Sequence, residues 1–346
     1  MRYLNEYWDD VKRVIPHIPN LHDLYGKSIL ITGGSGLICS CVVDIIYYLN
    51  QHDNAGITII HAARTHEEPE DRFPHMKEGV DYEFVYYDAT KAEGIDVASD
   101  YIIHAASNAN PAAYVAEPVE TMAANFIGLN SLLSMAKDKG TKRVLYISSS
   151  EVYGQKDSME PYHEDDYGFL DILNQRASYP SSKRATETLC VAYSMEYGMD
   201  TVIARPGHIY GPGVTPFDNR ATAQFTRNAV AGEDIVMKSA GSQLRSYCYA
   251  LDCATALLAI LLAGKSENAY NISNPDSIIT ISEIAKFIAD AAGTKLTYEN
   301  PDDAEAAGYN LMSNSSLDSK KLESLGWAAE FSPAEGADRC VRFYGD

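Results

Sequence analysis

From Ser28 onward, short apolar runs alternate with longer segments whose apolar residues recur at helical spacing. Ser28–Thr32, Ile57–His61, Tyr82–Tyr87, Tyr101–Ala105, Arg143–Ser148 and Thr201–Arg205 read as strands. Their apolar character is nearly unbroken, which marks strands covered on both faces. Leu37–Asn50, Val119–Lys139, Tyr179–Tyr197 and Ala221–Ala231 read as helices. This order predicts an α/β fold, a doubly wound parallel sheet with helices on both sides. Before it, Tyr3, Leu4, Tyr7, Trp8, Val11, Val14 and Ile15 fall at helical spacing ahead of Pro16, so residues 1–25 form an arm packed on its own domain. Past Arg205 the pattern is irregular, broken by Gly211-Pro212-Gly213 and Pro216-Phe217-Asp218-Asn219.

Composition narrows what such a fold can serve. The 346 residues suffice for two compact units, and 46% hydrophobic content is ordinary for a globular chain. A formal charge of −20 speaks against nucleic acid or an anionic membrane as partner, since both require a basic face. Six cysteines without paired Cys-x-x-Cys spacing read as reduced thiols and a cytoplasmic location. The acidic N-terminus does not read as a secretory signal, and no run reaches the roughly eighteen apolar residues of a membrane span. The histidines show no ligand spacing, so no metal is expected.

The chemistry lies in three separated motifs. In Thr32-Gly33-Gly34-Ser35-Gly36, after the first strand, glycines permit a tight turn and let backbone approach a pyrophosphate at a helix N-terminus. Ser148-Ser149-Ser150 ends a later strand, and Tyr179 stands one helical turn before Lys183. Tyrosine is a poor base with a reference pKa of about 10, and a neighbouring ammonium stabilises its phenolate. A serine hydroxyl can hold a substrate oxygen while hydride leaves the same carbon for nicotinamide. Any one of these motifs occurs by chance; their order makes the combination specific.

In that order the chain resembles the extended short-chain dehydrogenase/reductase family, the enzymes that modify nucleotide sugars, from about Lys27 to the C-terminus. The resemblance implies a Rossmann sheet in residues 26–204 plus 246–264, and a smaller C-terminal α/β substrate domain in 205–245 plus 265–346. It implies cofactor contacts at Gly33, Ser35, Gly36, Leu37, Ile38, Arg64, Asp88, Ala89, Ala105, Ala106, Ser107, Asn125, Tyr179, Lys183 and Pro206. NAD and NADP both stay open: the acid that ends the second strand in NAD binders is missing, and Arg64 there can meet a 2′-phosphate, face solvent or stack on adenine. Cys39 replaces the family's third glycine.

Ser149 matches the family's catalytic hydroxyl, and Ser150 and Glu151 occupy the two positions that decide chemistry in several subfamilies. Ser-Glu there, Glu164-Asp165-Asp166-Tyr167-Gly168, Asn174–Tyr179 and Arg245-Ser246 stand nearest to the UDP-glucuronate decarboxylases. The implied catalytic set is Ser149, Ser150, Glu151, Tyr179 and Lys183; the implied substrate contacts are Arg176, His208, Arg220 and Arg245. The implied activity is C4 oxidation of a nucleotide-diphosphate sugar, then decarboxylation of the β-keto acid. A 4,6-dehydratase and a C4 epimerase or 4-keto reductase are the alternatives, with a non-catalytic dinucleotide-binding protein as the remote one. His208 stands where the family commonly has Asn, and Leu311–Ser316 lacks the usual diphosphate arginine. Family likeness also implies a homodimer through the Val119–Lys139 and Tyr179–Tyr197 helices.

Overall fold

The protein is described by a computed structural model covering residues 1–91, 94–107, 111–215, 218–299 and 312–344. Pro216, Phe217 and Leu311, which belong to stretches singled out above, lie outside the described residues. The strands are β1 (Ser28–Thr32), β2 (Thr58–Ala63), β3 (Glu83–Tyr86), β4 (Tyr101–His104), β5 (Arg143–Ile147), β6 (Thr201–Pro206), β7 (His208–Tyr210), β8 (Ile235–Met237), β9 (Leu244–Tyr249), β10 (Asn268–Ile272), β11 (Ile278–Thr280), β12 (Leu296–Tyr298) and β13 (Asn314–Ser315). The helices used below are α1 (Asn5–Val14), α2 (Cys39–His52), α3 (Glu67–Arg72), α4 (Pro111–Ala116), α5 (Pro118–Lys139), α6 (Ser178–Tyr197), α7 (Ala221–Val230) and α8 (Ala250–Ala263).

Seven strands pair in the order β10-β6-β5-β4-β1-β2-β3, every pairing parallel. Alternation along β1 explains the two cores: Ile29 and Ile31 enter one with residues of α2 and α8, and Leu30 enters the other with residues of α5 and α6. The chain steps from β1 to β2 and β3 on one side and from β4 to β5 and β6 on the other. The crevice for a ligand therefore opens beyond the C-terminal ends of β1 and β4. A mixed sheet centred on β9 stands beside it, with β11 antiparallel and β7 and β13 parallel to β9.

Two features depart from, or sharpen, the sequence expectation. β10 belongs to the large sheet, pairing in parallel with β6, so the sheet continues past residue 264, where the sequence reading closes the dinucleotide domain. Its polar residues hide it: Asn271 is fully buried, yet its amide donates to the carbonyls of Tyr162 and Asp318, which makes a polar residue tolerable inside the strand. The N-terminal arm packs on α2 and α8 and also forms ion pairs with Glu330 and Arg339 near the C-terminus. Tyr7, Val11 and Val14 of α1 enter the core shared with α2 and α8, and the Tyr7 hydroxyl donates to Asp44 Oδ2 at 2.6 Å.

Candidate active site

The glycine-rich turn is shaped by close backbone approach. Gly33 has φ of 66°, and a Cβ there would lie 3.1 Å from both the Ala105 carbonyl carbon and the Ala106 nitrogen. Thr32 Oγ1 joins the two strand ends by accepting the N–H groups of Ala105 and Ala106, both at 3.1 Å. Its own proton then goes to His104 Nδ1, 2.8 Å away. Burial first, then Lys183, lowers the His104 pKa to about 3, which keeps that ring neutral. Gly34 clears a second histidine, since a Cβ would come within 2.6 Å of His61 Cε1. His61 meets Ser35 Oγ at 3.1 Å, and burial lowers it to about 4. Cys39 is buried at the start of α2 and still lines the cleft.

All the predicted site residues except Asn125 line one cleft of about 1330 Å3 above these strand ends. At its dinucleotide end, Arg64 follows β2 and stands 3.6 Å from Glu68 Oε1. Burial pushes the Asp88 carboxyl up, but hydrogen bonds from Thr90 and the charge of Lys91 hold it below its ordinary value. The Ser107 and Ser148 hydroxyls are buried without a hydrogen-bond partner among the described residues. A glycine-rich turn, a helix N-terminus and orphaned hydroxyls fit a nicotinamide dinucleotide. Asn125 is the exception: it faces α6 and donates to Thr121 O and Ser182 Oγ, each at 3.0 Å. Its Oδ1 is buried without a hydrogen-bond partner among the described residues.

At the reaction end, Lys183 Nζ donates to Ile147 O at 2.7 Å and lies 5.5 Å from the centre of the Tyr179 ring. Burial brings Lys183 down to about 7. Tyr179 is raised, by burial and then by Glu151, against opposing contributions from Ser149, Tyr114 and Arg220. The lowered phenol expected from the sequence is not seen, because removing both side chains from water costs more than their proximity returns. Ser149 caps the turn Ser150–Tyr153 by accepting the Glu151 N–H at 3.2 Å. Glu151 opens onto the cleft with its carboxyl raised by desolvation, which Arg176 opposes. Tyr114, which no sequence signal marks, stacks on Tyr179 with ring centres 4.3 Å apart and planes within 6°.

The substrate side collects Arg176, His208, Arg220 and Arg245. Burial, with Arg245 and Arg220 nearby, lowers His208 to about 3, so it is a neutral ring. Arg220 is engaged by Asp218, with its Nη2 at 2.5 Å from Oδ2. Arg245 differs: it is 3% exposed and donates to the carbonyls of Leu244 at 2.8 Å and Met312 at 3.1 Å. Among the described residues no carboxylate is within ion-pair distance of it, and burial lowers its pKa.

Residues 29–273 match the NAD dependent epimerase/dehydratase family. The chain belongs to this family. As a curated relative of this epimerase/dehydratase, UDP-glucuronic acid decarboxylase 3 of Arabidopsis thaliana is 31% identical over 311 residues, covering 89% of this chain and 86% of the relative. Among solved structures, UDP-glucose 4-epimerase of Thermotoga maritima, determined with UDP-glucose, superposes with a TM-score of 0.77 at 24% identity over 91% of this chain and 98% of that one. A dTDP-glucose 4,6-dehydratase of Streptomyces venezuelae determined with NAD gives a TM-score of 0.76 at 24% identity, covering 92% and 96%. These two superpositions bear on the fold alone. What the epimerase/dehydratase site offers chemically is a phenol, an amine, a hydroxyl and a carboxyl at one end of the cleft, and a buried guanidinium in the same cleft.

Proposed function

We propose that this chain oxidises C4 of a UDP-glucuronate-like nucleotide hexuronate and decarboxylates the resulting β-keto acid. The observation that carries this reading is Arg245, a buried guanidinium held by two carbonyls and, among the described residues, facing no carboxylate, in the cleft that also contains Tyr179 and Glu151. Such a charge is costly to bury alone, and an anionic substrate group, a carboxylate or the diphosphate, would complete it through parallel hydrogen bonds; in this reading it is the carboxylate. The named activity of the Arabidopsis relative supports the same substrate class. When bound, nicotinamide supplies a hydride acceptor for C4 and can return the hydride.

The side chains take separate tasks in this reading. Ser149 holds the C4 oxygen, and Tyr179 removes its proton, with Lys183 as the cation that stabilises the phenolate. Arg245 orients the carboxylate so that the bond to be broken lies beside the new carbonyl, which spreads the charge left as carbon dioxide departs. Glu151, with its raised carboxyl, returns a proton to C5, and Ser150 orients the reacting group. Arg176, His208 and Arg220 hold the remaining substrate, His208 as a neutral hydrogen-bonding group. For the dinucleotide we take NAD, because Glu68 beside Arg64 places an acid where a 2′-phosphate would be repelled.

The test is incubation of the full chain with nucleotide-linked glucuronate, glucose and mannose, each with NAD and with NADP, followed by product masses. Loss of carbon dioxide from the hexuronate, faster with NAD, is expected. Loss of water from a hexose with the hexuronate untouched would overturn the proposal in favour of a 4,6-dehydratase.

A further inference from the structure

Helix α6 carries Tyr179 and Lys183, and the next residue, Arg184, makes a different set of contacts. Its Nε donates to Val152 O at 2.5 Å, and its Nη2 donates to Tyr153 O at 3.1 Å and Gly168 O at 3.0 Å. Val152 and Tyr153 close the turn that bears Ser150 and Glu151. Gly168 opens the segment in which Phe169, Leu170 and Asp171 line the cleft. One guanidinium therefore ties the base helix to both the Glu151 turn and the cleft rim.

One glycine makes room for this clamp and a second for the strand-like pairing beside it. At Gly154, with φ of 66°, a Cβ would lie 3.0 Å from Arg184 Nη2. At Gly168 a Cβ would run into the Gln155 carbonyl, across the pairing in which Gln155 and Phe169 exchange N–H groups at 2.8 and 2.9 Å. Ser149 has separate support, because its neighbour Ser148 is fixed to the sheet through an N–H donated to Ala204 O at 2.7 Å. Glu151 lies on the turn side of that anchor, and its backbone N–H is committed to Ser149 Oγ. The depth and direction of its carboxyl thus depend on how the turn is closed at Val152 and Tyr153. A guanidinium spreads its donors over a planar fork and so spans carbonyls set apart on the turn and the rim, whereas an ammonium gathers its three donors at one point.

We infer that Arg184 is a positioning residue that sets Glu151 against Tyr179 by clamping the Ser150–Tyr153 turn and the cleft rim to α6. This rests on the role given to Glu151 above. The experiment is a double-mutant cycle of Arg184→Met and Glu151→Gln, read as kcat and KM on whichever nucleotide sugar the wild type consumes, with thermal midpoints recorded alongside.

Arg184→Met is expected to lower kcat about 10²-fold, the cost of roughly ångström misplacement, with KM within about threefold. Arg184→Lys recovers about tenfold of that loss by keeping one cationic donor nitrogen in place of the fork. The double variant is no slower than Glu151→Gln within about threefold, since removing the carboxyl leaves nothing for the clamp to position. Multiplying effects in the double variant, or an unchanged kcat with only a lowered thermal midpoint, overturns the inference. If Arg184→Met does not fold, the same cycle is run with Arg184→Lys. Should the wild type consume another sugar and leave hexuronates untouched, the decarboxylase reading fails while the cycle on that sugar still decides the role of Arg184.

Discussion

At the residue scale, burial favours the neutral form of both groups central to proton removal, raising Tyr179 and lowering Lys183. Lys183 has an ordinary value of 10.5 and sits at about 7 in the folded protein because burial disfavours its charge. Between those values the unfolded chain binds a proton that the folded chain has released, so native stability contributed by this residue rises with pH. The penalty is full below about pH 7 and vanishes above the unfolded value. Lys183→Met, an apolar residue of similar length, is therefore expected to melt above the parent near neutral pH, with the gap closing toward about pH 10. Thermal melts across that range check it, and a pH-independent gap would contradict the assigned burial cost. The phenol expectation shows where motif reasoning stops: Tyr179 and Lys183 are recognisable from spacing, but their desolvation depends on Tyr114 and on the cleft walls.

At the element scale, strands and helices with unbroken apolar runs were legible because both faces of the sheet are covered. β1, β2, β4, β5 and β6 fall within a few residues of their predicted bounds. What escaped were elements whose polar residues are satisfied by distant partners. β10, which the sequence reading places with the substrate domain, carries Asn271, whose acceptors come from Tyr162 and Asp318. Asn125, which the family pattern assigns to the cofactor, commits its Nδ2 to Thr121 and Ser182 and leaves Oδ1 buried without a partner among the described residues. α4 carries Tyr114 within six residues, too short for periodicity to single out the ring that covers the base. The cleft residues were legible as a set because the parallel topology brings every strand's C-terminal end to one edge, whatever the sequence distance between them.

At the scale of the whole molecule, a chain of charge −20 gathers Arg176, Arg220 and Arg245 in its cleft, so an anionic ligand meets local cations inside an acidic particle. Among the described residues no helix is long and apolar enough to cross a membrane. On the outer side, α5 exposes Val119 at 72%, Met122 at 46%, Phe126 at 44% and Ile127 at 40%. An apolar face of this kind on a helix pair fits a second copy of the chain, as the family likeness implies. Light scattering is expected to give twice the 38.0 kDa chain mass, and Phe126→Glu to shift it toward a single chain; a single-chain mass for the wild type contradicts this. The central claim, C4 oxidation followed by loss of the carboxyl group, is tested most directly with nucleotide-linked glucuronate carrying 13C at C6. The account predicts one labelled carbon dioxide for each sugar consumed, and a loss of about 10²-fold or more in its release with Tyr179→Phe. Consumption of the sugar with the label retained in the product would contradict it.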